Sequence, residues 1–258
     1  MMVVSGVRLE CRWIGAPRPG APVLVFLHEG LGCLAQWRDF PDRVAASLGL
    51  PALVYSRAGY GASDPVGLPR PLDYLDREGE IHLPAVLDRA GIDQAILIGH
   101  SDGATIALVA AGHDPAGRIK AVVAMAPHSF VEDMCVEAIA KVATLWRDTD
   151  LRQRLARHHG DNVDCAFLGW NDTWLRPEFK RWHIRDHLAA IRAPVLVIQG
   201  EDDEYATLAQ VEIVRDLVPG GAGILVLPAC GHSPQKDQAQ AVLDAIVAFV
   251  RPVPPSAG

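Results

Sequence analysis

Ala95-Ile96-Leu97-Ile98-Gly99-His100-Ser101-Asp102-Gly103-Ala104 joins two kinds of structure. Ala95 to Ile98 is a short apolar run, suited to a strand buried on both faces. Ala104 to Ala110 reads as a helix. Ser101 therefore falls on a sharp strand-to-helix turn, with glycines two residues before and two after it. Glycine at those places allows the tight turn and a close approach of strand and helix, and the hydroxyl is pushed above the sheet. The N–H groups that open the helix carry partial positive charge, which favours an oxyanion.

Outward from this turn, the chain alternates strands and helices. Val3 to Ile14 alternates apolar and polar residues, as expected of a half-buried edge strand. Val23–Leu27, Ala52–Tyr55, Ala121–Met125, Pro194–Ile198 and Gly223–Leu227 are further strand candidates. Helices are expected over Gln36–Leu48, Ile81–Ala90 and Ala239–Val250, and Pro252–Gly258 is a proline-rich tail. This rhythm predicts an α/β protein with a mostly parallel sheet covered on both faces, and a site at the carboxyl ends of the strands. Residues 128–190 break the rhythm. They are helical, of mixed charge, and hold Trp146, Trp170, Trp174 and Trp182. We read them as a helical cap inserted into a core formed by 1–127 and 191–258.

Half of the 258 residues are hydrophobic, enough for a large core, and the net charge is -7. That charge argues against nucleic acid as a partner. No apolar run reaches the roughly 20 residues of a membrane span. The first residues lack a signal-peptide pattern, so a cytoplasmic location is the expectation. Five scattered cysteines, none spaced Cys-x-x-Cys, point to free thiols rather than zinc or a disulfide framework.

A serine hydroxyl cannot attack an acyl carbon unaided; it needs a base, and the base needs an orienting group. Two strand ends offer them. Gly200-Glu201-Asp202-Asp203-Glu204 follows one strand, and Cys230-Gly231-His232-Ser233 follows another. The chain order is Ser, Asp, His.

With these loops in view, the sequence resembles the α/β-hydrolase superfamily over nearly its whole length. His28-Glu29-Gly30 resembles the family's oxyanion loop, Arg57-x-Gly59-x-Gly61-x-Ser63 its second glycine loop, and Gly99–Gly103 its nucleophile elbow. Gly200-x-x-Asp203 resembles the acid loop and Gly231-His232 the base loop. The resemblance implies the α/β-hydrolase fold, of the eight-stranded type. It makes Ser101 the nucleophile, His232 the base and Asp203 the orienting acid, with Asp202 as rival. The oxyanion would rest on the N–H of Asp102 and that of Gly30 or Glu29. Glu29 departs from the family, which usually has glycine there, so its carboxylate must point away or be paired.

Gly-x-Ser-Asp-Gly is also similar to the elbow of the valacyclovir hydrolase-like branch, beside the carboxylesterases. There the Asp102 carboxylate could attract a substrate cation; an acidic residue favoured at a helix start is the other reading. His28, His100 and Arg57 are read as structural. His128 and Phe130 follow a strand end and should border the pocket, and Trp170 and Trp174 are either cap core or substrate wall. The expected activity is hydrolysis of a small-molecule ester by the triad, without cofactor or metal. A lactone, thioester, amide or the carbon–carbon bond of a diketone-type product is the alternative, and a non-catalytic ligand binder a lesser one. A homodimer is one expectation for the assembly.

Overall fold

The computed structural model describes residues 1–251, so the expected tail from Pro252 lies outside the described residues. The elements run β1 (Met2–Val4), β2 (Val7–Leu9), β3 (Cys11–Ile14), β4 (Val23–Leu27), α1 (Phe40–Leu48), β5 (Ala52–Tyr55), α2 (Tyr74–Arg77) and α3 (Leu83–Ala90). They continue with β6 (Ala95–His100), α4 (Asp102–Gly112), β7 (Ile119–Met125), α5 (Asp133–Asp148), α6 (Leu151–His159), α7 (Val163–Trp174) and α8 (Arg185–Ala190). β8 (Val195–Gly200), α9 (Ala209–Leu217), β9 (Gly223–Leu227), α10 (Pro234–Asp237) and α11 (Ala239–Val250) complete the described chain.

The main sheet has the order β3-β5-β4-β6-β7-β8-β9. Only β3 is antiparallel to its neighbour. Seven strands form it, rather than the eight expected. The Val3–Ile14 alternation predicted one edge strand, but Ser5 and Gly6 turn the chain with positive φ. Met2–Val4 and Val7–Leu9 then pair with each other as a separate hairpin, and only Cys11–Ile14 joins the sheet.

The continuous apolar runs reflect two cores, one on each face. Along β4, Val23, Val25 and Leu27 pack in one cluster with Leu83, Val86 and Ile106 of α3 and α4. Leu24 and Phe26 pack in the other with Val44 of α1 and Val242 and Ile246 of α11. Period-two side chains thus feed opposite faces, and each face needs its own helices. Two helices start differently from expectation. Leu34–Trp37 is a separate 3-10 turn, and Pro41 sits in the first turn of α1. The Ile81–Ala90 helix begins earlier, at Tyr74, and passes through a π turn before Pro84 enters the first turn of α3.

The expected insertion from 128 to 190 is helical, but its last helix, α8, belongs with the core layer. A Cβ at Gly112 of α4 would run into the backbone of His187, so the two helices touch closely. No helix among the described residues is long and apolar enough to cross a membrane.

Candidate active site

β4 lies between β5 and β6, so the chain leaves it in one direction and returns on the other side. Such a reversal opens a crevice at the strands' carboxyl ends. The loops after β4, β6, β7, β8 and β9 meet there.

At the end of β6, Ser101 has φ 52°, the left-handed region that costs a residue with a side chain. Its N–H donates to the Met125 carbonyl at 2.9 Å, and its own carbonyl accepts from Ala104 and Thr105. A Cβ at Gly99 would meet the Gly103 carbonyl, and one at Gly103 would meet the Leu27 carbonyl. The glycine spacing is therefore a steric requirement of this turn.

Ser101 Oγ lies 2.9 Å from His232 Nε2. His232 Nδ1 lies 2.9 Å from each carboxylate oxygen of Asp203. For both contacts to be hydrogen bonds in the neutral ring, Nδ1 carries the proton and Nε2 accepts from the serine hydroxyl. Asp203 is held by the Tyr205 N–H at 2.8 Å and by Gln199 Nε2 at 2.6 Å. Burial pushes its carboxyl up, but His232 and the Tyr205 N–H outweigh it and hold it below the ordinary range. Asp202 is exposed, and its N–H donates to the Cys230 carbonyl. The arrangement couples a hydroxyl to an imidazole and the imidazole to a buried carboxylate, which can pass a proton away from the serine and back.

A cavity of about 220 Å³ opens on Ser101. Glu29, Gly30, His128, Trp170 and Trp174 line it with His232. Phe130, expected at the pocket, is not in this lining. Its N–H and carbonyl are tied to the Gln210 side chain, and it bridges to His183. Leu31, His100, Ile139, Glu204, Tyr205 and Ser233 complete the apolar and polar walls. Tyr205 and Ser233 could have been found, being two and one residues beyond Asp203 and His232. Ile139 has no sequence signal, because its helix reaches the pocket only through tertiary packing.

Glu29 is paired, as its place in the loop required. Its carboxylate lies 3.3 Å from Lys236 Nζ and 3.5 Å from His100 Nδ1. Burial would raise it, but His100 and Lys236 more than offset that and keep it well below the usual carboxylate range. A Cβ at Gly30 would run into the Trp170 indole, so the loop and α7 are in tight contact.

Asp102 points away from the cavity. It is fully buried, accepts a hydrogen bond from Tyr74 Oη at 2.7 Å, and lies 3.8 Å from Arg57 Nη2. The expectation that its carboxylate could attract a substrate cation is therefore overturned: the side chain serves the core behind the elbow. Arg57 also donates to the Glu29 carbonyl at 3.1 Å, and its N–H donates to His28 Nε2 at 3.0 Å. Arg57 and His28 thus brace the loops, as read from the sequence. His100 lies beneath His232, donating from Nε2 to the His232 carbonyl at 2.7 Å.

His128 lines the cavity with Nδ1 unpartnered, its ring 5.5 Å from that of His232. Its backbone is fixed on both sides by the Thr105 hydroxyl. Burial lowers its pKa from 6.5 to about 3, and the neighbouring His232 adds to this. The sign follows from linkage: below pH 6.5 the unfolded chain binds a proton that the folded chain refuses, so stability falls on acidification until about pH 3. Between pH 7 and pH 5 this residue should cost about 2 kcal/mol. Denaturant unfolding at both pH values is expected to show a smaller loss for His128→Gln than for the wild type. Parallel losses would mean that His128 ionises freely.

Among the described residues, no group of three His, Cys, Asp or Glu side chains is placed to hold a metal ion.

No curated protein matches the chain by sequence. Among solved structures, the enol-lactonase from Burkholderia xenovorans LB400 superposes with a TM-score of 0.70 at 22% identity, over 96% of this chain and 98% of that one. Proline iminopeptidase from Mycobacterium smegmatis gives 0.69 at 20% identity, covering 97% of both. A thermophilic esterase from Thermogutta terrifontis gives 0.73 at 16% identity, covering 98% and 97%. These likenesses speak to the fold. The model of the alpha/beta hydrolase family matches residues 24–245, from β4 into α11 and through all three strand-end loops, and the chain belongs to that family.

Proposed function

We propose that this chain is a serine hydrolase that cleaves a small carboxylic ester through an acyl-enzyme. The observation that carries the proposal is the continuous hydrogen-bonded path from Ser101 through His232 to Asp203, opening on a cavity of about 220 Å³. Ser101 attacks the acyl carbon as His232 Nε2 takes its proton. The imidazolium that forms is stabilised by Asp203, and His232 then returns the proton to the leaving alcohol. The oxyanion rests on the N–H of Asp102 and that of Gly30 or Glu29, each donor worth about 3–4 kcal/mol in the transition state. Water, deprotonated by His232, releases the acid. The helical segment between β7 and β8 serves as a cap: its Trp170 and Trp174 wall the cavity and favour apolar acyl groups.

The same path can open a lactone, thioester, amide or carbon–carbon bond. Lactones and amides enter the test because fold neighbours are named an enol-lactonase and an iminopeptidase. A fluorophosphonate probe should label Ser101, as read by peptide mass spectrometry. A panel of p-nitrophenyl esters, lactones, thioesters and anilides should then favour short to medium acyl esters. Absence of labelling would point to a ligand-binding protein, and a preference for another bond would reassign the substrate.

A further inference from the structure

Trp174 ends α7 and walls the cavity at Ser101. Its indole Nε1–H donates to Tyr74 Oη at 2.9 Å. Tyr74 opens α2, and its hydroxyl donates in turn to Asp102 Oδ2 at 2.7 Å. Asp102 follows the nucleophile and lies 3.8 Å from Arg57 Nη2, which donates to the carbonyls of His28 and Glu29. A path of polar contacts thus runs from the cavity wall, past the elbow, to the loop after β4. The side chains of Trp174, Tyr74, Asp102 and Arg57 are all buried.

Chemistry fixes the order of groups along this path. An indole only donates and a carboxylate only accepts, so the group between them must do both, as a phenol hydroxyl does. Nothing nearby takes its place. The bond from Tyr74 is the one hydrogen bond that the Asp102 side chain makes among the described residues, and Oδ1 has no partner. On the other side, Trp174 meets His128, Phe179 and Trp182 edge to face, with ring centroids 5.1, 4.9 and 6.1 Å apart. Those contacts fill space around the indole. The bond to Tyr74 is the directional one, and it fixes the ring's place in the wall.

We propose that Tyr74 is a positioning residue for ester hydrolysis: its hydroxyl holds the wall that selects the acyl group and steadies the residue whose N–H receives the oxyanion. Tyr74 is not in the lining of the cavity at Ser101, so it acts through Trp174 and Asp102. This role rests on the serine-hydrolase function proposed for Ser101.

Two variants break the path from different ends. Tyr74→Phe removes the hydroxyl. Trp174→3-benzothienylalanine keeps the shape of the ring and removes only its N–H. Turnover of p-nitrophenyl acetate, butyrate, hexanoate and octanoate is compared with wild type, with melting curves as the control. A freed indole takes up more positions, so the wall discriminates less. In both variants the ratio of kcat/KM between the best and the poorest ester should fall about fivefold, the size of one neutral hydrogen bond. Tyr74→Phe should also lower kcat for the acetate about tenfold, because a buried carboxylate beside the nucleophile loses its bond. A merely structural bond would lower the melting temperature and leave the ratio alone. The wild-type ratio in either folded variant would therefore overturn the proposal, as would wild-type kcat in Tyr74→Phe; if Tyr74→Phe does not fold, the isostere decides. A wild-type protein that takes no fluorophosphonate and turns over none of the esters would overturn the serine-hydrolase function and this role with it. Labelling and turnover with an unmoved ratio would overturn the role alone.

Discussion

Ser101→Ala is expected to lower ester turnover by about 10⁴-fold or more, while the protein folds as before. The hydroxyl's side-chain hydrogen bond goes to His232. Alanine keeps the Cβ, so the strained φ of 52° is neither relieved nor worsened. Loss of one hydrogen bond should change stability by about 1 kcal/mol at most. What disappears is the acyl-enzyme route. The N–H donors proposed for the oxyanion and the cavity remain, so a small residual rate through direct attack of water is expected. Steady-state hydrolysis of p-nitrophenyl butyrate, with melting curves as the control, reads both effects. A folded variant with wild-type turnover would remove Ser101 from the mechanism.

The second large effect separates two adjacent carboxylates. Asp203→Asn should reduce kcat by about 10⁴-fold, because a neutral amide cannot stabilise the imidazolium. The fold should tolerate the change. Asp203 accepts from Tyr205, Gln199 and His232, and an asparagine oxygen can still accept from Tyr205 and His232. Gln199 can turn its amide over, since its Oε1 has no partner. Asp202→Asn changes an exposed side chain whose structural bond is made by the backbone N–H, so its kcat should stay within about twofold of wild type. Reversal of the two results would transfer the acid's role to Asp202, and equal small losses would argue against any orienting acid.

Much of the architecture was legible from local pattern. Continuous apolar runs such as Val23–Leu27 mark strands that feed two cores, and Gly99 and Gly103 mark a turn where the carbonyls of Gly103 and Leu27 leave no room for a Cβ. The N-terminal run was misread as one strand because period two does not tell where a chain folds back; the turn at Ser5-Gly6 does. The place of α8 has a similar cause. Helical composition at Arg185–Ala190 cannot say that the helix lies on α4.

By itself, the sequence determined the parallel sheet, the elbow and the strand ends that carry a serine, a histidine and two neighbouring aspartates. Those depend on side-chain period, turn chemistry and short connections, all of which act over a few residues. Only the tertiary structure decided where side chains point. Asp203 faces His232 while Asp202 faces solvent; Asp102 turns to Tyr74, 28 residues away, instead of the cavity; Phe130 is tied to Gln210, 80 residues on. The direction of a side chain is set by the partners that packing brings to it, and those partners lie far away along the chain.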